Sequence, residues 1–238
     1  AAGKDTLQIA LIKSDDKPVA VAPLYYQHTS YTGKSLRFIG TGEHEIDEVL
    51  TEYLDFIVLP GYEQLAIERI YDLIKNQKAW SRVYFNCVLE DSVCKKLSER
   101  FQNKYNVQTT LSGKVYSVPV GASEAEYRQA RLSLSRNKRL KRCLKALDKD
   151  GGGLTRQDTR DESQIDAHLK VLKSLHDERW SDRNQFGIFD SEKFMSFHQQ
   201  LLTLLVPQRK ADIVLYSLND KPVSALYVMK SKENCHYY

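Results

Sequence analysis

The alternation of hydrophobic and polar residues predicts a series of strands and helices along the chain. Apolar residues alternate on both sides of two short polar turns, which predicts one β-hairpin near each end. Helical spacing of apolar residues predicts helices near Gln64 to Lys75, Ser92 to Tyr105, Glu162 to Trp180 and Glu192 to Leu205. Short strands are predicted near Leu36 to Ile39, Arg82 to Val88, Val107 to Val120 and Leu154 to Asp158. Strands interleaved with helices, joined by hairpins and crossovers, predict a mixed α/β fold.

One sequence element occurs twice. Asp16-Lys17-Pro18-Val19 recurs 204 residues later as Asp220-Lys221-Pro222-Val223, and the flanking apolar residues match as well. A chance match between unrelated hairpins is the alternative, because turns containing Asp and Pro are common. The flanking agreement favours a duplication in which the first copy lacks its front elements and the second its back elements. The predicted divisions are a first half at 1–120, a basic helical connector at 121–153 and a second half at 154–238.

Charge is distributed unevenly, although the net charge is only +4. Between Phe38 and Glu68 the chain has eight acidic residues and no Lys or Arg, whereas between Arg128 and Leu147 it has eight basic residues and no Asp or Glu. In the basic segment an apolar stripe at Leu140, Cys143, Leu144 and Leu147 predicts a helix that Ser133 or Ser135 caps. Its cations either form a solvated face, dock on the acidic segment, or bind phosphate groups.

Composition excludes several classes of protein. A hydrophobic content of 42% with 28% charged residues is typical of a folded chain and excludes disorder as the main state. No window approaches the ~20 apolar residues of a membrane span, and the first residues lack the apolar segment of a signal peptide. Four cysteines without a C-x-x-C pair favour a reducing, cytoplasmic compartment. The missing Met and the strand-like last residues suggest a fragment.

The end of the predicted helix at 162–180 concentrates chemically active side chains. His176 could act as a general base, Arg179 could bind an acidic acceptor, and Trp180 could stack on a sugar ring. The alternative is structural: His176 and Arg179 satisfy the last carbonyls of the helix, while Trp180 packs in the core.

Other kinds of site are less well supported. Glu43-His44-Glu45 with Asp47 offers ligands for Mg²⁺ or Ca²⁺, but neither EF-hand spacing nor an H-E-x-x-H motif is present, so no metal is expected. The sequence has no Walker A, dinucleotide-binding or G-x-S-x-G motif. The basic helix could follow a phosphate backbone, but it lacks interleaved aromatic residues and the rest of the chain is acidic, which disfavours nucleic acid as a partner.

Several segments resemble the GNAT superfamily of N-acyltransferases. The similarity is to its tandem branch, with the CelD/BcsL-like acetyltransferases of exopolysaccharide and cellulose production, and more distantly to the FemAB peptidoglycan-branching transferases. The segments are 16–24, 36–40, 134–142, 175–180 and 220–225. The resemblance implies two GNAT-like domains with mixed sheets flanked by helices, the second truncated at its C-terminus. It also implies transfer of an acyl group, chiefly acetyl, from acyl-CoA to an amine or saccharide acceptor in polysaccharide or cell-envelope biosynthesis.

On this scheme we assign roles as hypotheses. His176 and Glu178 are catalytic. The acceptor is bound by Arg179, Trp180 and Arg183, and the acyl-CoA phosphates by Arg136, Lys138, Arg139 and Arg142. The alternative function is a non-catalytic scaffold whose basic helix binds nucleic acid or a partner protein. The oligomeric state is left open.

The family also implies a Gly-rich pyrophosphate loop after the hairpin. In the first copy, residues 37–42 satisfy its R-x-x-G-x-G pattern, but four acidic residues follow directly and oppose an anion. The first copy is therefore expected to be structural or acceptor-binding. In the second copy the corresponding loop would lie beyond Tyr238.

Overall fold

A computed structural model of the chain describes residues 4–29, 33–44, 47–49, 51–77, 80–119, 123–149, 153–181, 187–232 and 234–238. These residues form nine strands and six α-helices, which confirms the mixed α/β fold. The chain divides into two compact units, Ala1–Lys114 and Val115–Tyr238. Among the helices of these described ranges, none is both long and apolar enough to cross a membrane.

The first unit contains a mixed sheet covered on one face by two helices. Its strands are β1 (Thr6–Ser14), β2 (Lys17–Thr29), β3 (Gly33–Phe38), β4 (Ile57–Val58) and β5 (Arg82–Tyr84), and its helices are α1 (Glu63–Asn76) and α2 (Val93–Phe101). The strand order is β1-β2-β3-β5, and β4 pairs with β2. Only β3 and β5 run parallel among these pairs. The helices bury an apolar core around Leu24, Leu36, Phe38, Ile70 and Leu97.

The second unit contains a four-stranded sheet, two helices that pack on it and two exposed helices. Its helices are α3 (Glu124–Arg131), α4 (Leu134–Lys149), α5 (Ile165–Ser181) and α6 (Glu192–Leu205), and its strands are β6 (Leu154–Asp158), β7 (Ala211–Leu218), β8 (Lys221–Lys230) and β9 (Cys235–Tyr237). The strand order β6-β7-β8-β9 is antiparallel throughout the described pairs. Ile165 and Leu169 of α5 and Leu202 of α6 pack with Ile213 and Leu215 of β7 in one core.

The two repeated sequences form hairpins with the same register. The turn residues Asp15 and Asp16 have φ angles of 47° and 62°, and Asn219 and Asp220 have angles of 51° and 61°. Two consecutive positive φ values are typical of the type I′ turn, whose twist matches the flanking strands. Each hairpin also shifts register at the equivalent place, between Ile12 and Lys13 and between Tyr216 and Ser217. The two predicted hairpins are therefore confirmed, and the structure adds that they share one register.

Most predicted elements are confirmed, with different lengths. The strand at 82–88 is limited to β5, and the helix at 92–105 ends at Phe101. The strand predicted at 107–120 is wrong, because residues 106–119 form no strand. Leu111 and Tyr116 are 82% and 88% exposed. The segment has the alternating apolar pattern of a strand, but among the described residues no neighbouring strand pairs with its main-chain groups.

Candidate functional site

The C-terminal half of α5 and the turn that follows it bring together several predicted site residues. His176 and Trp180 are one helical turn apart, so they share a face, and their ring centroids lie 5.8 Å apart. Phe189, in a short 3₁₀ turn at Ile188–Asp190, meets the His176 ring edge-on at 4.8 Å. The imidazole is therefore held between two aromatic rings.

His176 and Asp177 each have a polar atom without a partner. His176 Nδ1 and Asp177 Oδ1 are 3.7 Å apart, beyond hydrogen-bond distance, and both atoms are buried without a hydrogen bond. Both lie beside Gly187, where an added Cβ would be 3.0 Å from Nδ1 and 2.8 Å from Oδ1. Burial lowers the pKa of His176, so the imidazole is neutral at physiological pH and able to accept a proton.

Lys173 fixes the position of Asp177. Its Nζ donates to Asp177 Oδ2 at 2.7 Å and to Asp190 Oδ1 at 2.6 Å. Burial opposes the charge of Lys173, but these two hydrogen bonds outweigh it and raise its pKa, while the Lys173 ammonium lowers the pKa of Asp190. Lys173, Asp177 and Asp190 were not among the site residues predicted from the sequence. The four-residue spacing of Lys173 and Asp177 was a visible signal, whereas the contact with Asp190 depends on the fold.

The other predicted residues at this helix end lie in different places. Glu178 and Arg179 are exposed, and a residue two positions after His176 does not share its helix face. Trp180 is half-buried. Arg183 lies outside the described residues.

Helix α4 displays its cations to solvent. The Ser133 hydroxyl accepts from Arg136 N at 3.3 Å, which is the capping role predicted for it. None of residues 134–147 is buried, and all four predicted phosphate ligands are exposed: Arg136, Lys138, Arg139 and Arg142. Among the described residues, no hydrogen bond or ion pair joins these cations to His176. The structure therefore describes the basic helix and the histidine site as separate groups.

A buried histidine in α6 was not predicted from the sequence. His198 is fully buried, with Nδ1 3.2 Å from the Tyr227 hydroxyl and Nε2 3.0 Å from the Tyr238 hydroxyl. Burial lowers its pKa to about 4. Phe194 contacts both His198 and Phe189, with ring centroids 4.2 Å and 5.3 Å apart, so ring contacts continue from His198 to the His176 site. A single histidine within an apolar stripe gave no signal of these tyrosine contacts.

The R-x-x-G-x-G segment of the first unit folds back onto its own sheet. The Tyr25 hydroxyl donates to Thr41 O at 2.5 Å, and the Gln27 amide donates to the carbonyl of Gly42. Arg37 stacks over the Tyr84 ring at 4.3 Å and lies so close to Gly42 that an added Cβ would be 2.8 Å from Arg37 Cδ. These contacts favour a structural role for the segment.

Within the described ranges, no group of three or more His, Cys, Asp or Glu side chains is placed to hold a metal ion. Glu45 of the acidic loop lies outside those ranges. Comparison with curated proteins gives no match. Residues 135–238, from the first turn of α4 through β9, match the family model described as an acetyltransferase (GNAT) domain. Residues 135–238 are therefore similar to a GNAT acetyltransferase domain, and this similarity supports acyltransferase function in general.

Proposed function

We propose that this protein is a GNAT-type N-acyltransferase that transfers an acyl group, chiefly acetyl, from acyl-CoA to an amine or saccharide acceptor in polysaccharide or cell-envelope biosynthesis. One observation carries the proposal: within the matched domain, a neutral histidine and a carboxylate each direct an unpartnered buried atom to the same place beside Gly187. The free thiols of Cys87, Cys143 and Cys235, all exposed, support a reducing, cytoplasmic location.

His176 is the general base of this proposal. Acyl-CoA supplies the thioester carbonyl, and the acceptor attacks it as the C–S bond breaks. CoA leaves as the thiolate, which takes up a proton from solvent to give the thiol. His176 Nδ1 takes the proton that the attacking nitrogen or oxygen loses. Asp177 Oδ1 accepts a hydrogen bond from the same acceptor group and orients it. Glu178 is exposed on another face of α5, so it takes no part in this step, and its catalytic role stays a prediction from the sequence.

The basic helix and the end of α5 bind the two substrates. Arg136, Arg139 and Arg142 follow one another at three-residue spacing, and their guanidinium groups, with Lys138, pair with phosphate oxygens of acyl-CoA. Trp180 stacks on the acceptor, and Arg179 and Arg183 bind its acidic group. The first unit has a structural or acceptor-binding role.

Calorimetry with acetyl-CoA tests the phosphate role. Replacing Arg136, Arg139 and Arg142 by Ala should weaken binding about tenfold or more, because each charged hydrogen bond contributes about 1.5 kcal/mol or more. A control with three exposed lysines of the first unit replaced, Lys17, Lys75 and Lys96, should bind as the wild type does. Unchanged affinity in the arginine variant would reject the role.

Release of free thiol from acetyl-CoA, with glucosamine as the acceptor, tests the catalytic role. The substitution His176→Gln should lower kcat by about 100-fold while leaving the affinity for acetyl-CoA unchanged, because it removes the base and not the phosphate contacts. His28→Gln in the first unit is the matched control. Wild-type turnover by the His176 variant would refute its role as the base.

The exposure of α4 favours a second candidate function, a non-catalytic scaffold that binds nucleic acid or a partner protein. A helix with exposed cations and no buried residue in 134–147 is available to a polyanion. Filter binding to duplex DNA across a salt series distinguishes the two functions. A steep loss of binding with salt would support the scaffold, because phosphate contacts release counterions. Failure to retain DNA at low salt would reject nucleic acid as its ligand.

A further inference from the structure

Lys173 joins two carboxylates that belong to different elements of the second unit. Its Nζ donates to Asp177 Oδ2 at 2.7 Å, one turn further along α5, and to Asp190 Oδ1 at 2.6 Å in the 3₁₀ turn at Ile188–Asp190. An ammonium group has three donor hydrogens, so it can bind both oxygens at once. Lys173 therefore connects the helix that carries His176 to the turn that packs against this histidine.

The bond within α5 decides which oxygen of Asp177 stays free. Lys173 binds Oδ2, and Oδ1 is left buried without a hydrogen bond, 3.7 Å from His176 Nδ1. A carboxylate that is held through one oxygen cannot rotate without breaking a charged hydrogen bond, so Oδ1 keeps its direction toward Gly187. Without the ammonium group, Asp177 is partly exposed and would be free to turn toward water.

The bond to Asp190 holds the turn against the imidazole. Asp190 is exposed, whereas Phe189 beside it is buried and meets the His176 ring edge-on at 4.8 Å. Asp190 N also donates to Gly187 O at 3.0 Å, so the anchored residue and the glycine belong to one hydrogen-bonded turn. Anchoring Asp190 therefore also fixes Gly187, which lies against the two unpartnered atoms.

Charge gives Lys173 a second effect on the base. Among the described residues, the charged groups that act on the His176 imidazole are Lys173, Asp177 and Arg179 of α5 and Asp190 of the turn. A carboxylate stabilises the protonated imidazole and raises its pKa, whereas an ammonium group lowers it. Burial is the main cause of the lowered pKa of His176, and Lys173 adds to it against the opposite effect of Asp177.

We propose that Lys173 is a positioning residue of the transfer reaction, whose ammonium group holds Asp177 and the turn at 187–190 in the arrangement that His176 needs to take the proton of the acceptor. It acts through Asp177 and Asp190, without contact with the reacting atoms. The inference rests on the proposed function, since it gives Lys173 a role in the same site. The charge and the two hydrogen bonds are what the site requires, so Arg should replace Lys173 and Met should not.

Thiol release from acetyl-CoA with glucosamine tests this role. Lys173→Met should lower kcat about tenfold or more with unchanged affinity for acetyl-CoA, because the base and its carboxylate are no longer held in place. Lys173→Arg should recover most of the loss, since the guanidinium group keeps the charge and can donate to both carboxylates. Lys170→Met, which removes an exposed lysine of the same helix, is the matched control and should behave as the wild type does. Wild-type kcat in Lys173→Met, or no recovery in Lys173→Arg, would overturn the proposal.

An NMR titration distinguishes positioning from a merely structural role and does not require turnover. The His176 ring signal, identified by its loss in His176→Gln, is followed from about pH 5 to about pH 8. The pKa of His176 should be higher in Lys173→Met than in the wild type, because the carboxylates then act on the imidazole without the ammonium group. The acidic limb of the pH profile of kcat should move in the same direction. An unchanged pKa of His176 in Lys173→Met would overturn the proposal.

Failure of this inference and failure of the proposed function give different results. If His176→Gln turns over as the wild type does, the proposed function is wrong and the role of Lys173 falls with it. If His176→Gln loses activity and Lys173→Met does not, the role of Lys173 alone is wrong. Urea denaturation checks folding: partly exposed ion pairs contribute little to stability, so Lys173→Met should unfold close to the wild-type urea concentration. A large loss of stability with an unchanged pKa of His176 would indicate a structural role and overturn the proposal.

Discussion

Acidification should destabilise the second unit through His198. Its ring is fully buried between two tyrosine hydroxyls, and burial lowers its pKa from 6.5 to about 4. The pKa of His198 is lower in the folded chain than in the unfolded chain. The stability that depends on a neutral His198 is therefore fully present above pH 6.5. It is lost as the pH falls toward 4, because the unfolded chain binds a proton that the folded chain does not.

The magnitude follows from the two pKa values. One proton bound only by the unfolded state changes the free energy of unfolding by about 1.4 kcal/mol per pH unit. With folded and unfolded values of about 4 and 6.5, the loss is about 2 kcal/mol near pH 5 and about 3 kcal/mol near pH 4. Domains are typically stable by about 5–15 kcal/mol, so such a loss is measurable.

Urea denaturation at about pH 7.5 and about pH 5 measures this effect. Trp80 lies in the first unit and Trp180 in the second, so a Trp80→Phe background reports on the second unit alone. His198→Gln removes the titrating ring but keeps a donor and an acceptor for the tyrosines. We expect it to cost about 1–2 kcal/mol at the higher pH. At the lower pH the parent loses about 2 kcal/mol that the variant does not lose, so the variant should become as stable as the parent or slightly more stable.

The control is His28→Gln in the first unit, which should follow the parent protein at both pH values. If the parent and the His198→Gln variant lose stability in parallel, the protonation of His198 does not contribute, and the reasoning from its burial is refuted.

Three further substitutions test local features. Gly187→Ala places a Cβ 2.8 Å from Asp177 Oδ1 and should lower thiol release about 100-fold with unchanged acetyl-CoA affinity; normal turnover would contradict the proposed site. Asp16→Val should lower the free energy of unfolding of the first unit in urea, followed by Trp80 emission, by about 1 kcal/mol. The reason is the positive φ of 62° at this position, which strains a β-branched residue and does not strain Gly, so Asp16→Gly should have no such effect. Equal effects of the two substitutions would exclude backbone strain as the cause. Ser35→Ala should be neutral or stabilising by about 1 kcal/mol, because Ser35 Oγ is buried without a hydrogen bond; a clear loss in the same assay would mean that the hydroxyl has a partner.

Local signals explain the success of the sequence predictions for the fold. The hairpins were predictable because their turns require particular residues and their strands alternate with a period of two. Helices α1, α5 and α6 were predictable from apolar spacing. The strand predicted at 107–120 is absent from the structure of residues 106–119, although its composition is typical of a strand. A strand also needs a neighbouring strand with free main-chain groups, and composition does not reveal whether one is present.

The candidate site was only partly predictable for the same reason. His176 and Trp180 belong to one helix, so their contact follows from spacing alone. Asp190 reaches Lys173 from the next turn, and Tyr227 and Tyr238 reach His198 from the sheet. These contacts join elements distant in the sequence, and no local pattern indicates them.

The matching register of the two hairpins also has a consequence for how the chain folds. Each ribbon is stabilised by contacts between near neighbours, so both can form early and independently. A chain that contains the same ribbon twice also offers each strand an incorrect partner of compatible register, such as β1 for β8. Exchange of strands between ribbons would trap misfolded species during refolding, most of all at high protein concentration, where the exchange can also occur between molecules.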